Sequence, residues 1–140
     1  MNLANAYIAL KGNSSPSNYQ QYNNWDSNQK VVFHQQLYWG FANAAVQARI
    51  DGDLNVSATS DPEIKQRWFA IGISNNYGPI WTPCEQWVSS MGRDKYLYTI
   101  YNECAEAGSA QLQICRTWAT NNKWFYTPGT NYMVKQILGM

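Results

Sequence analysis

Few residues of this chain have the types and the spacing that catalysis needs. The only histidine, His34, lies in the apolar run 31–35, which favours a packed side chain over a general base. A glycosidase needs two carboxyl groups flanking one bond, and no spacing pairs Glu85, Glu103 or Glu106 in that way. No G-x-S-x-G nucleophile motif occurs. We therefore predict that the protein is not an enzyme.

Metal sites and disulfides are also weakly indicated. The three cysteines, Cys84, Cys104 and Cys115, leave at least one thiol unpaired, and buried inert thiols are the default interpretation. Their spacing does not match a zinc site. Residues 51–57 alternate like a calcium loop, but Val56 stands at the glycine position and Pro62 at the glutamate position. We predict no metal and no cofactor, and the pairing of the cysteines stays open.

Composition favours the binding of a neutral ligand. Only 14% of the residues are charged, and the net charge is +1. Neither nucleic-acid binding nor membrane binding is expected without clustered basic residues. Seven Trp and ten Tyr accompany many Asn and Gln residues. Aromatic rings can cover the apolar face of a sugar while amides bind its hydroxyls, so carbohydrate is a candidate ligand; the alternative is that most of the rings are core residues.

The elements that would position these side chains are predicted to be strands. Residues 66–74 form the most strand-like run, residues 95–101 and 111–118 alternate, and residues 44–58 predict a hairpin around Asp51 and Gly52 with a three-residue loop through Asp53. Eight to ten short strands separated by turn residues predict a single all-β domain over residues 1–140, a jelly-roll β-sandwich.

Targeting signals are not visible in the sequence. Residues 1–10 have no basic segment followed by a long apolar stretch, and no run approaches the roughly 20 apolar residues of a membrane span. The sequence therefore predicts a soluble protein that is cytoplasmic or exported by a non-classical route.

Five segments taken in order resemble one family. Residues 49–54, 68–72, 84–90, 92–93 and 118–139 are similar to the tumour-necrosis-factor-like lectin domain, the fucose-binding N-terminal domain of bacterial superlectins of the Burkholderia type. The resemblance implies a jelly-roll homotrimer that binds fucosylated glycans between protomers without a metal. The alternative is a cytokine-like or structural trimer that binds a protein receptor through the same aromatic residues.

The resemblance also implies a set of carbohydrate-binding residues. Arg93 is the strongest of them because its guanidinium can bind two sugar oxygens at once. Met91, Asn122 and Gly129 depart from the family pattern, so the preference for fucose can differ. The full predicted set is Trp68, Gln86, Trp87, Ser90, Arg93, Asn122, Lys123, Thr127 and Thr130.

Overall fold

The computed structural model describes residues 2–140 and contains eight α-helices in that range. Three short 3-10 helices, Tyr19–Asn24, Val56–Ala58 and Gly78–Ile80, connect them. The α-helices are α1 (Leu3–Leu10), α2 (Ser27–Trp39), α3 (Ala44–Leu54), α4 (Pro62–Asn75), α5 (Trp81–Val88), α6 (Asp94–Ala107), α7 (Ser109–Asn121) and α8 (Pro128–Leu138).

Side chains at the helix starts explain where several of these helices begin. Asp26 caps α2, and its carboxylate accepts from the backbone N–H of Gln29 while the Gln29 side chain accepts from the backbone N–H of Asp26. This reciprocal pair satisfies two N–H groups that a helix start otherwise leaves unpaired. Asp61 caps α4 with Pro62 in its first turn, and Thr127 caps α8 in the same way.

The even-numbered helices form a row. Helix α2 packs against α4, α4 against α6, and α6 against α8. The odd-numbered helices contact members of this row: α1 packs on α2, α3 and α5 on α4, and α7 on both α6 and α8. Alternation of two helix layers is typical of helical solenoids, in which each pair of helices buries its apolar faces against the next pair.

Helix α4 lies at the centre of the core. Ile64, Trp68, Phe69, Ile71 and Ile73 on this helix are all buried. A helix that is apolar around most of its circumference is stable only when neighbours cover it on several sides. Contacts of α4 with α2, α3, α5 and α6 provide that cover.

The prediction of an all-β jelly-roll sandwich is wrong. No strand occurs in residues 2–140, and the runs interpreted as strands lie in helices. Residues 66–74 belong to α4, where an uninterrupted apolar run arises because the helix is covered on several sides. A short apolar run of this kind does not distinguish a buried strand from a buried helix.

Burial along α6 and α7 follows the helical period and not the predicted alternation. On α6 the buried residues are Tyr96, Leu97, Ile100, Tyr101 and Cys104. Spacings of one, three and four residues place these side chains on one helix face. On α7, Gln111 is buried, whereas Leu112 and Ile114 are only half-buried, so burial does not follow a strand-like division into polar and apolar faces.

The predicted hairpin at residues 44–58 is also wrong. Asp51 and Gly52 lie inside α3, which ends at Leu54, and Asn55 caps it in the left-handed conformation. The Asp51 carboxylate accepts hydrogen bonds from the backbone N–H and the hydroxyl of Ser57 and from the Tyr77 hydroxyl. The carboxylate therefore ties the end of α3 to the two segments that follow it.

Candidate functional site

Three of the predicted site residues line one pocket. Gln86 and Trp87 on α5 and Ser90 after it face a pocket of about 280 Å³ together with Lys65 of α4. The remaining lining residues are Ser57, Ala58, Thr59 and Pro83. Trp87 is largely buried, with 8% of its surface exposed, whereas Gln86 and Ser90 are exposed. The pocket therefore has an aromatic wall with polar side chains beside it.

Trp68 does not line this pocket. It is fully buried in α4, and its indole N–H donates a hydrogen bond of 2.9 Å to the Ser57 hydroxyl. Because Ser57 lines the pocket, Trp68 positions a pocket residue while serving as a core side chain.

Four predicted residues lie in the α7–α8 connection or at the start of α8. The Asn122 amide donates to the Ser89 hydroxyl at 3.0 Å, and the buried Thr130 hydroxyl donates to the Asp94 carboxylate. The first bond attaches the α7–α8 connection to the α5–α6 connection, and the second attaches the start of α8 to the start of α6. The other two residues are Thr127, which caps α8, and Lys123, whose ammonium lies 5.5 Å from the Trp124 ring.

Arg93 belongs to a cluster of charges at the starts of α4 and α6. Arg93 itself is exposed, and no hydrogen bond or salt bridge of its guanidinium occurs within residues 2–140. We name the cluster the cationic corner; it consists of Glu63, Lys65, Arg67, Arg93 and Lys95. Within this set four positive charges and one negative charge leave a net charge of +3, and Asp61 and Asp94, which lie at the same helix starts, reduce the local excess to +1.

Glu63 is the anion that organises this corner. Its carboxylate binds Lys95 at 2.6 Å and Arg67 at 2.9 Å and accepts from the Tyr96 hydroxyl at 3.2 Å. The hydrogen bond from Lys95 is the main reason that the pKa of Glu63 falls from 4.5 to about 2; partial burial opposes this change, and the bonds from Arg67 and Tyr96 support it. The corner therefore keeps its one carboxylate ionised at neutral pH.

Two neighbouring aromatic rings, tilted by 41° to each other, lie between the cations. The Trp87 and Tyr96 ring centroids are 5.2 Å apart. Lys65 lies 5.7 Å from the Trp87 ring, and Arg93 and Lys95 lie 5.1 Å and 5.3 Å from the Tyr96 ring. Cation–ring contacts at this distance hold the charged groups over the rings. The arrangement presents donors with positive charge beside an aromatic wall, which suits an anionic group attached to an apolar body.

Sequence reasoning missed Glu63, Lys65, Lys95 and Tyr96. One available signal was the helix start Asp61-Pro62-Glu63, followed by Arg67 four residues after Glu63. The strand interpretation of residues 66–74 removed that signal, because an i, i+4 pair is adjacent only on a helix. Two further carboxylates lie at these helix starts: Asp61 accepts from the Ser27 hydroxyl and Asp94 from the Thr130 hydroxyl, and within residues 2–140 neither is in a salt bridge.

Other reactive groups of the described chain are withdrawn from solvent. His34 is fully buried in α2, its ring is 2.9 Å from the Tyr22 hydroxyl, and burial lowers its pKa from 6.5 to about 3. Cys84 is buried with a raised pKa, mainly because of desolvation, and Cys104 forms a disulfide with Cys115. The sequence prediction of a packed histidine is thus confirmed, although the element is a helix.

No group of three or more metal-binding side chains occurs within residues 2–140. Over the same residues, no helix has both the length and the apolar character that crossing a membrane requires. The predicted homotrimer and the predicted absence of nucleic-acid binding stay predictions.

Residues 25–138 match the family model described as Leukotriene A4 hydrolase, C-terminal. No curated protein and no solved structure matches the chain. The family match and the helical fold overturn the predicted tumour-necrosis-factor-like lectin domain, and with it the predicted glycan-binding function. The five segments that suggested the resemblance lie in helices and their connections, so their order along the chain did not reflect a shared fold.

Proposed function

Since the chain belongs to the family of leukotriene A4 hydrolase C-terminal domains, we propose that it is a non-catalytic helical domain that binds an anionic group of a ligand at the cationic corner. The observation that carries this proposal is a pair of unpaired cations: Lys65 lies over the Trp87 ring and Arg93 over the Tyr96 ring, and within residues 2–140 neither is in a salt bridge. Positive charge that no neighbouring anion compensates raises the local concentration of anions at the surface.

The ligand group is a carboxylate or a phosphate attached to an apolar body. Arg93 supports an anion because its planar guanidinium can donate two parallel hydrogen bonds to paired oxygens. Lys65 lines the neighbouring pocket beside Trp87, which gives an apolar body a wall to pack against. An anion bound at Lys65 therefore has an adjacent place for the rest of its molecule.

Support for a role without catalysis comes from the burial of the side chains that could act as catalysts. His34 and Cys84, which could act as base and nucleophile, are both fully buried. The family description names a C-terminal part of a hydrolase. In a protein of that kind, the chemistry can reside in another part of the chain while this domain contributes a binding surface.

A matched pair of ligands tests the anion proposal. Benzoate and benzamide have the same ring and differ in charge, so calorimetric titration at low ionic strength isolates the contribution of the charge. We expect benzoate to bind at least about tenfold more tightly, since a hydrogen bond to a charged group is worth about 1.5–3 kcal/mol. Added salt should weaken benzoate binding because the corner is exposed to solvent. Equal affinities for the two ligands would refute the proposal.

Substitutions of single basic residues test whether benzoate binds at the cationic corner. Arg93→Gln and Lys65→Gln should each weaken benzoate binding about fivefold or more, whereas Lys135→Gln on α8 removes the same charge far along the chain and should change little. If the Lys135 variant loses as much affinity as the other two, the effect comes from net charge and not from the corner.

A turnover assay tests the second part of the proposal. Incubation of the purified chain with p-nitrophenyl acetate should release nitrophenol no faster than buffer does. Release that saturates with substrate and disappears on thermal unfolding would show that the chain is catalytic.

A further inference from the structure

A second cavity, whose lining residues include two aromatic residues and a glutamate, lies across α2, α4 and α6. Its volume is about 140 Å³, several times what one water needs. Tyr38, Phe41 and Glu103 carry its distinctive chemistry, and its other lining residues are Leu37, Ala42, Ile71, Ser74 and Asn75. None of these residues belongs to the cationic corner, so the cavity is separate from the anion site.

Phe41 is held in an unfavourable conformation at the rim of this cavity. Its φ is 56°, in the left-handed region that bulky residues rarely adopt, and 90% of its surface is exposed. Neither feature helps the chain to fold, because the backbone is strained and the ring buries almost nothing. Trp39, two residues earlier, is 69% exposed. The connection between α2 and α3 thus presents aromatic rings to solvent beside the cavity.

Glu103 brings a negative charge without a cation to balance it. The Tyr38 hydroxyl donates to both of its oxygens, at 3.2 and 3.3 Å. In the part of the chain that the structure describes, Glu63 is the only carboxylate in a salt bridge. Arg67 lines an adjoining pocket with Glu103, but its guanidinium pairs with Glu63. Desolvation and the nearby Glu106 raise the pKa of Glu103, although the bond from Tyr38 lowers it.

We propose that this cavity binds an alkylammonium group, with the rings of Tyr38 and Phe41 against the methyl or methylene groups and Glu103 as the counter-ion. A cation over the face of an aromatic ring is attracted by the ring quadrupole, and aromatic cages of this type bind ammonium ions. The bound charge would also compensate the half-buried carboxylate of Glu103. A neutral ligand of the same shape gains neither of these interactions.

The first experiment compares choline with 3,3-dimethylbutan-1-ol, which has the same shape without the charge. Binding is followed by NMR titration of the labelled protein and by tryptophan fluorescence. We expect choline to bind about tenfold more tightly, as two ring contacts and one ion pair imply. Equal affinities, or no binding of either compound, would overturn the proposal.

A second experiment tests whether the alkylammonium group belongs to a protein side chain or to a free small molecule. Capped trimethyllysine represents a protein side chain, and choline represents a free small molecule; capped norleucine is the neutral analogue of the lysine derivative. Tighter binding of the lysine derivative than of choline assigns the cavity to a side chain of a partner, and the reverse assigns it to a free amine. A lysine derivative that binds no better than capped norleucine counts against the cavity as an alkylammonium site.

Two variants test the named residues without disturbing the fold. Phe41→Asn removes the ring and places at this position a residue that adopts the left-handed conformation readily. Glu103→Gln removes the charge and keeps the shape. Each should weaken choline binding about fivefold or more, and Glu85→Gln on α5 should leave it unchanged. If both variants keep their circular dichroism and bind choline as the unmodified chain does, the cavity is not the site.

Discussion

Replacement of Gly52 by alanine distinguishes the helix from the hairpin at residues 44–58. In the structure Gly52 lies in α3 with an ordinary helical backbone, and a Cβ atom built on it would meet no atom within 4 Å. In a turn between two strands, a glycine at this position serves a positive φ that alanine disfavours. Gly52→Ala should therefore raise the stability of a helix at this position and lower the stability of a hairpin.

The expected magnitude follows from helix propensity. Alanine is more favourable than glycine by about 0.8–1.0 kcal/mol inside a helix. Gly52 lies two residues before the last residue of α3, where the helix is less constrained, so we expect a gain of about 0.5–1 kcal/mol in the free energy of unfolding. For a chain of 140 residues a gain of 1 kcal/mol corresponds to a rise in Tm of about 3 °C.

Urea denaturation followed by circular dichroism at 222 nm measures this change, and Gly72→Ala is the matched control. Gly72 lies in α4, where a Cβ atom would come 2.5 Å from Ile80 Cγ1. Forcing a methyl group into that contact costs about 1–3 kcal/mol, which exceeds the gain in helix propensity. Gly52→Ala should therefore stabilise the chain and Gly72→Ala should destabilise it. A loss of stability on Gly52→Ala would refute the helical assignment of this segment.

Three further predictions concern pH, redox state and backbone strain. The pKa of His34 is about 3 in the fold against 6.5 ordinarily, so the stability that comes from burying neutral His34 should be fully present above pH 6.5 and should be lost as the pH falls toward 3. Urea midpoints measured between pH 6.5 and 5 should therefore fall for the unmodified chain and stay flat for His34→Gln. Equal slopes for the two chains would contradict this role of His34. The Cys104–Cys115 disulfide closes a loop with a separation of 11 residues, so its reduction should lower the free energy of unfolding by about 3 kcal/mol. Urea denaturation with and without reductant measures this change. An unchanged urea midpoint would show that the bond does not form. Phe41→Asn should leave the free energy of unfolding unchanged or raise it by about 1 kcal/mol, because it relieves the backbone strain at residue 41 and removes a ring that is 90% exposed. Thermal melting measures this change. A loss of more than about 1 kcal/mol would mean that the ring supports the fold.

Local helix signals were present in the sequence, but alternation of apolar residues outweighed them. The pair Asp26 and Gln29 has capping-box spacing, and Asp61-Pro62 and Thr127-Pro128 are typical helix starts. Thr127-Pro128-Gly129 is also typical of a turn, since the same residue types favour turns and helix starts. Aromatic and β-branched residues in α4 and α6 favoured strands, and in the structure packing between helices overrides that preference.

The candidate site could be predicted only in part. Gln86, Trp87, Ser90 and Arg93 were singled out from the sequence, and the first three line one pocket. The reason given for choosing them was wrong, because it depended on a resemblance to a β-sheet lectin. Lys65 was not found, since its relation to Trp87 depends on α4 packing beside α5.

The sequence by itself determined the local features of this protein: low charge, a histidine suited to a packed position, and side chains that start helices at Asp26, Asp61 and Thr127. Each depends on residues within a few positions of one another, so each can be read along the chain. Only the tertiary structure decided which face of each apolar run is buried and which side chains meet. The cationic corner joins residues 63–67 to residues 93–95, and the aromatic cavity joins Tyr38 to Glu103. Those contacts result from packing α2, α4 and α6 in one row, and a separation of about 30 to 65 residues carries no local signal of such packing.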